Sequence, residues 1–220
     1  MRPQWEVIHL RMAARIIALG VCLLTVIPAP AAGVDDDFKK GEAAWRSGDM
    51  AGAMGLLRKA AEQGHAPSQA LLGDILDKAE FNEEAVGYFR KSAEQGNADG
   101  QFGLGAMLLA GEGVKRDVDE ALAWFTRAAE KNHVDAIRGA AQIHMNALAQ
   151  TGTKNDLSPV ALSMIRRAAE QNYLPAIDLL AKAYRSGGGG LVPEIKQAEM
   201  WEAKSRELRK ISGDRKRKRQ

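Results

Sequence analysis

From residue 53 onward, apolar and small residues recur at spacings of three and four, and the whole pattern then repeats along the chain. RKAAEQGH begins at residue 58, RKSAEQGN at 90, TRAAEKNH at 126 and RRAAEQNY at 166. A spacing of three and four places residues on one face of a helix. The residue that ends each segment is Gly64, Gly96, Asn132 or Asn172. Glycine and asparagine accept left-handed backbone at low cost, so each marks a helix end. A second face follows each turn. It carries Ser68, Gly100, Ala136 and Ala176, then Leu72, Leu104, Ala140 and Leu180, then Gly73, Gly105, Ala141 and Ala181, with Leu76, Leu108, His144 and Tyr184 one turn later. Small residues at these places let a neighbouring helix come close. The helix after it carries Leu57, Phe89, Phe125 and Ile165, each four residues beyond a repeated alanine. The pattern therefore predicts pairs of antiparallel helices. Equivalent alanines at 53, 85, 121, 161 and 198 are separated by 32, 36, 40 and 37 residues, which puts insertions in the loops between constant elements.

Helix boundaries are also written locally. Gly111, Glu112 and Gly113 end a helix, and Asp117 three residues before Glu120 forms a capping-box pattern. Ser158 before Pro159 is an N-cap followed by a first helical residue, and Asn82 is expected to cap the second helix of its hairpin. The Gly187 to Gly190 run with Pro193 is expected to be the most mobile loop. Residues 35–63 add a first hairpin with Gly41, Trp45, a Gly48-Asp49 turn and Ala53.

These residues resemble a known family. The EQG-x-A-x-x-Q-x-x-L-G pattern, the Gly111-Glu112-Gly113-Val114 loop, Asp117 and the ALAWFTRAA segment at 121–129 are similar to the Sel1-like repeat, a relative of the tetratricopeptide repeat. The likeness covers roughly residues 58–205. The first hairpin, 35–63, looks closer to an ordinary tetratricopeptide unit, with Sel1-like repeats at 64–205. The departures are His144 in an apolar slot, a long 148–157 loop, and Glu202 where Phe125 has its ring. The resemblance implies an all-α solenoid of about five antiparallel helix hairpins, a right-handed superhelix whose concave face binds a protein or peptide partner. On that packing the inner positions are Asp74, Asp77, Asp99, Phe102, Leu109, Asp135, Arg138, Gln142, Met145, Asp178, Lys182 and Arg185. Their charge runs from acidic to basic, which would orient an extended peptide. The terminal helix needs a polar outer face, and Glu202, Lys204, Ser205 and Arg206 are expected to supply it.

Composition changes this picture at both ends. Residues 16–27 are a mostly apolar run preceded by Arg11 and Arg15 and followed by Ala29, Pro30 and Ala31. That is the layout of a secretory signal peptide, residues 1–31, with cleavage expected after Ala31. The run is too short to span a bilayer comfortably, so no transmembrane span is expected in the mature chain. Translation starting at Met12 would shorten an otherwise long leader. Cys22, the single cysteine, lies within this run, after Val21 where a lipoprotein signal wants a small residue.

Charge is divided as well. Residues 32–203 hold 19 basic against 25 acidic side chains, whereas the end from Lys204 holds nine against two. The formal net charge of +3 is thus a sum of a basic leader, an acidic body and a basic tail. Residues 206–220 are expected to be a disordered tail, in which Arg215, Lys216, Arg217, Lys218 and Arg219 could hold an anionic surface such as lipid or lipopolysaccharide phosphate. Nucleic acid is not expected, because no aromatic interleaving accompanies the charge.

Little points to chemistry. Four histidines and one cysteine give no metal-ligand spacing, and no cofactor or catalytic residue is expected. The 111–117 loop lacks the Gly-Lys-Ser/Thr ending of a phosphate loop. His65, Asn97, His133 and Tyr173 share one repeat position, which reads as a structural edge position, and His144 reads as core in preference to groove. Carboxylates at 35–37, 83–84 and 117–120 sit at expected helix starts, where negative charge is favourable. The expectation is an exported, non-enzymatic scaffold, periplasmic or secreted. The alternatives are a secreted effector or surface module docking on anionic membrane through its tail and, less favoured, a cell-wall or β-lactam hydrolase.

Overall fold

The computed structural model describes residues 32–151 and 157–217. Ten α-helices account for most of them: α1 (Ala32–Ser47), α2 (Met50–Glu62), α3 (Ala66–Lys78), α4 (Asn82–Glu94), α5 (Ala98–Ala110), α6 (Val118–Glu130), α7 (Val134–Thr151), α8 (Pro159–Glu170), α9 (Leu174–Ser186) and α10 (Ile195–Arg217), with a 3₁₀ turn at Gly188–Gly190. They pair in order into five hairpins, α1 with α2 through α9 with α10, each stacked on the next. The expected signal segment, 1–31, lies outside the described residues.

The local signals act where the sequence places them. Gly64 and Gly96 have φ of +85° and +82°, and Asn132 and Asn172 have +63°. Asp49, Asn97, Asp117 and Ser158 each accept a hydrogen bond from the backbone N–H three residues on. Two expectations need correction. The box at Asp117 is half made, since the Glu120 carboxylate accepts from Trp124 Nε1 and the Asp117 N–H donates instead to the Leu108 carbonyl. Asn82 does not cap α4. It is the first helical residue, Phe81 stands at the cap without a side-chain bond, and Gly113 packs its backbone on the Asn82 carbonyl.

Packing rests on one ring wedged between small residues in each of the central hairpins. A methyl group at Gly73 would lie 2.8 Å from the Phe89 ring, and one at Gly103 only 2.3 Å. Phe125 is flanked in the same way by Gly105 and Gly139. Both rings are buried. The few aromatics thus fill space that glycine leaves open, and Ala60, Ala61, Ala128, Ala129, Ala168 and Ala169 close the rest of the core.

One backbone group recurs in every junction. The carbonyl near the end of each second helix accepts from Gln69 Nε2 at Ala61 and from Gln101 Nε2 at Ala93. Those glutamines are the Q of the repeated motif and are almost fully buried. In the next two junctions the position is Ile137 or Ile177, which cannot donate. There Arg167 Nη2 reaches the Ala129 carbonyl at 2.6 Å, and Lys204 Nζ reaches that of Ala169 at 2.8 Å. Each of these carbonyls already accepts from the backbone N–H three residues on, and the side chain from the next hairpin supplies a second bond to the remaining lone pair.

The C-terminal end departs from expectation. The Gly187 to Gly190 run folds into a 3₁₀ turn with Gly189 buried, and its carbonyl accepts from Leu157 N–H at 3.2 Å. Of the residues expected on the outer face of α10, Ser205 is buried and donates to Asp178 Oδ1 at 2.6 Å, while Lys204 reaches back to Ala169. Trp201, rather than residue 202, fills the last core position. α10 continues to Arg217, into the segment expected to be a disordered tail. Residues 218–220 lie outside the described residues.

Candidate partner-binding cleft

The first helices, α1, α3, α5, α7 and α9, present equivalent positions in series. One of them holds Phe38, Ala70, Phe102, Arg138 and Asp178. The residue three positions earlier is Asp35, Pro67, Asp99, Asp135 or Pro175, and the cap of the following first helix is His65, Asn97, His133 or Tyr173. In the first and third hairpins these three positions form the same assembly. His65 Nδ1 accepts from Ser68 N–H, its Nε2 lies 3.2 Å from Asp35, and its ring centroid is 5.0 Å from Phe38. His133 Nδ1 accepts from Ala136 N–H, its Nε2 lies 3.2 Å from Asp99, and its ring stacks on Phe102 at 4.8 Å. Each histidine therefore ties the start of one hairpin to the first helix of the preceding one, in keeping with the structural reading of this position. The Asp-x-x-Phe spacing at 35–38 and 99–102 was the signal in the sequence for it.

The second hairpin lacks the assembly. Ala70 stands where its neighbours have phenylalanine, and a cleft of about 370 Å³ opens there. Its floor is Ala70, Leu71, Gly103, Ala106 and Met107, and Phe38 and Phe102 stand on either side. Glu42, Asp74, Asp77, Asp99 and Asp135 line it, and no lysine or arginine among the described residues does. Some of this charge is balanced from outside: Glu42 pairs with Arg46, Asp74 with Lys78 and Asp135 with Arg138. These pairs are exposed and of i, i+3 or i, i+4 type, each worth only about 0.3–0.5 kcal/mol, so a partner can displace them.

Of the predicted inner residues, Asp74, Asp77, Asp99, Phe102 and Asp135 come together in this cleft. The others do not join them. Leu109 packs between the two halves of the core and Met145 against the second half. Gln142 accepts from the Tyr173 hydroxyl at 2.5 Å, and Arg138 donates to the Gln171 carbonyl. Asp178, Lys182 and Arg185 line a separate shallow cleft beside α10 with Glu202, Ser205 and Arg206. There Asp178 holds Ser205 and Arg209, and Arg185 pairs with Glu202 at 2.7 Å, so the expected basic far end is largely neutralised. Sequence reasoning missed Phe38, Glu42 and His133 as lining residues.

His144, expected in the core, is half-buried. Its Nε2 is buried with no hydrogen-bond partner among the described residues, and burial lowers its pKa below the ordinary value of 6.5. Among the described residues no three His, Cys, Asp or Glu side chains converge as metal ligands, and no helix is long and apolar enough to cross a membrane. The side chains of Arg215 to Arg219, expected to hold an anionic surface, lie outside the described residues.

The Sel1 repeat profile matches residues 43–65, 82–97 and 98–133. No curated protein matches the sequence. Among solved structures, the chain is similar to a protective antigen of uropathogenic Escherichia coli strains that displays an SLR fold. The two are 28% identical with a TM-score of 0.66, over 80% of this chain and 38% of that one. A Sel1 repeat protein from Oxalobacter formigenes is 27% identical with a TM-score of 0.66, over 78% of this chain and 70% of that one. The MamA protein, at 16% identity and a TM-score of 0.52, shares the fold. This chain thus spans well under half the length of the Escherichia coli antigen and about two thirds of the Oxalobacter protein. The chain thus carries Sel1 repeats at three positions, inside a stack of helical hairpins like those of these structures.

Proposed function

We propose that this protein is an exported, non-enzymatic scaffold that holds a protein or peptide partner on the face made by its first helices. Sel1 repeats commonly serve as protein-interaction scaffolds. The observation that carries the reading is the acid-lined cleft over an apolar floor between α1, α3, α5 and the start of α7. Stacked repeats generate extended surfaces of this kind, and a concave apolar site with polar groups around it is the usual form of a binding site. Export rests on the leader, whose apolar run at 16–27 follows Arg11 and Arg15. A periplasmic or secreted location follows from that leader.

The test is affinity capture from a bacterial envelope extract with residues 32–220, followed by identification of the retained protein. Capture is expected from the unmodified chain and not from Asp74→Lys/Asp77→Lys/Asp99→Lys, whose carboxylates are all partly exposed. Equal capture by the reversed variant would move the working surface to the other face. Incubation with peptidoglycan and with β-lactams is expected to give no turnover.

A further inference from the structure

We infer that the cleft at Ala70 is a specificity pocket for an extended peptide carrying two arginine or lysine side chains about three residues apart, with an apolar residue between them. The inference rests on the scaffold reading above and names the partner's chemistry.

Its origin is a single register position. Phe38 and Phe102 fill this position in the first and third hairpins, each packed on a histidine held by an aspartate. Ala70 leaves the intermediate position empty, with aromatic walls and a floor of small and aliphatic side chains. An apolar side chain of about leucine size replaces the missing ring.

Charge sets the rest. The carboxylates fall at two levels of the parallel first helices. Asp99 and Asp135 occupy the level of Pro67, in the first helical turn, while Glu42 and Asp74 occupy the level of Ala106, with Asp77 one turn further. Pro67 and Asp74 are seven residues apart on α3, which at 1.5 Å per residue is about 10 Å. An extended peptide rises about 3.3 Å per residue, so cations three residues apart meet both levels. Asp77 has no ion-pair partner among the described residues, and Asp99 has only His133, so the two ends keep unmet negative charge. The aliphatic stems of arginine and lysine can lie on Leu71 and Phe102 while the charged heads reach the rim.

The probe is a fluorescein-labelled hexapeptide, Gly-Arg-Ala-Leu-Arg-Gly, followed by fluorescence anisotropy with residues 32–220. Its comparator, Gly-Ala-Arg-Arg-Leu-Gly, has the same composition with the arginines adjacent. At low salt the spaced peptide is expected to bind at least about tenfold more tightly than the comparator, and both should weaken at high salt. Ala70→Phe installs the residue that the neighbouring hairpins already carry and should cut binding of the spaced peptide about tenfold with no loss of thermal stability. Asp74→Asn/Asp99→Asn removes one charge at each level and should cut it at least as much, which keeps the test sound if Ala70→Phe folds poorly. Equal binding of the two peptides, unchanged binding by a folded Ala70→Phe chain, or no binding by the unmodified chain at millimolar peptide would each overturn the inference. If Ala70→Phe still captures the envelope partner that the aspartate reversal loses, the scaffold reading stands and the pocket falls. If the reversal also keeps the partner, the working surface lies on the other face, and the pocket falls together with the reading of this face.

Discussion

Gly103→Ala isolates the main packing device of the fold. A β-carbon at residue 103 would lie 2.3 Å from Cε1 and 2.4 Å from Cδ1 of Phe89, against ordinary contacts of 3.4–4 Å. The overlap exceeds 1 Å, and the same edge of the ring packs closely on Gly73, where a β-carbon would lie 2.8 Å away, which leaves the ring little room to shift. Overpacking of a buried ring costs typically about 1–3 kcal/mol, and a ring held this closely by two glycines belongs near the top of that range. Alanine is favoured over glycine within a helix by about 1 kcal/mol, which offsets part of the cost. The net expectation is a destabilisation of about 2 kcal/mol. For a chain of this length that lowers the melting midpoint by about 4–8 °C.

Gly87→Ala is the matched control. Gly87 lies on the same helix as Phe89, is exposed, and would bring a β-carbon into open space. That change should stabilise by about 0.5–1 kcal/mol. Urea titration followed by far-ultraviolet circular dichroism should therefore place the two variants on opposite sides of the unmodified chain. Phe89→Leu should cost less in the Gly103→Ala background than alone, because it relieves the clash. If Gly103→Ala proves as stable as Gly87→Ala, the wedged ring does not hold the hairpins together and the packing argument fails.

Two further outcomes follow from particular residues. Burial holds the His144 pKa below its unfolded value, so the unfolded chain binds more protons as pH falls. The histidine's contribution is present above about pH 6.5 and is lost as the medium becomes more acidic. His144→Leu, which matches Leu76 and Leu108 in the neighbouring hairpins, should reduce the fall in melting midpoint between pH 7.5 and pH 5. An identical fall in both chains would assign the acid sensitivity elsewhere. Asp178→Ala removes the acceptor of Ser205 and Arg209 and should loosen α10 by about 1 kcal/mol. Amide exchange in 195–211 should then quicken about fivefold with 66–130 unchanged, and uniform exchange would mean that α10 is held by Trp201 and the core alone.

The hairpins were legible in the sequence because their signals are local. Gly64, Gly96, Asn132 and Asn172 end helices through their own backbone preferences, and Asp49, Asn97, Asp117 and Ser158 start them with their own side chains. Repetition then gave the stack, since each hairpin can bury its faces only against the next. The acidic half of the inner face was also within reach, because Asp74, Asp77 and Asp99 fall at first-helix positions.

Tertiary structure decided what those positions do. The sequence alone determined that Ala70 is small and Phe102 large; only the stacked helices put Phe38, Ala70 and Phe102 side by side so that one small residue becomes a cleft. It likewise could not assign Lys204 or Ser205, which look like surface residues in a polar segment. One completes the carbonyl that Gln69 and Gln101 satisfy elsewhere, and the other closes the last hairpin on Asp178. The division has one physical cause. Turns and caps are settled by atoms within four residues of one another, whereas the cleft and the carbonyls of Ala129 and Ala169 take their partners from chain segments about 30 residues or more apart, and which of those partners is present depends on the packing of the whole stack.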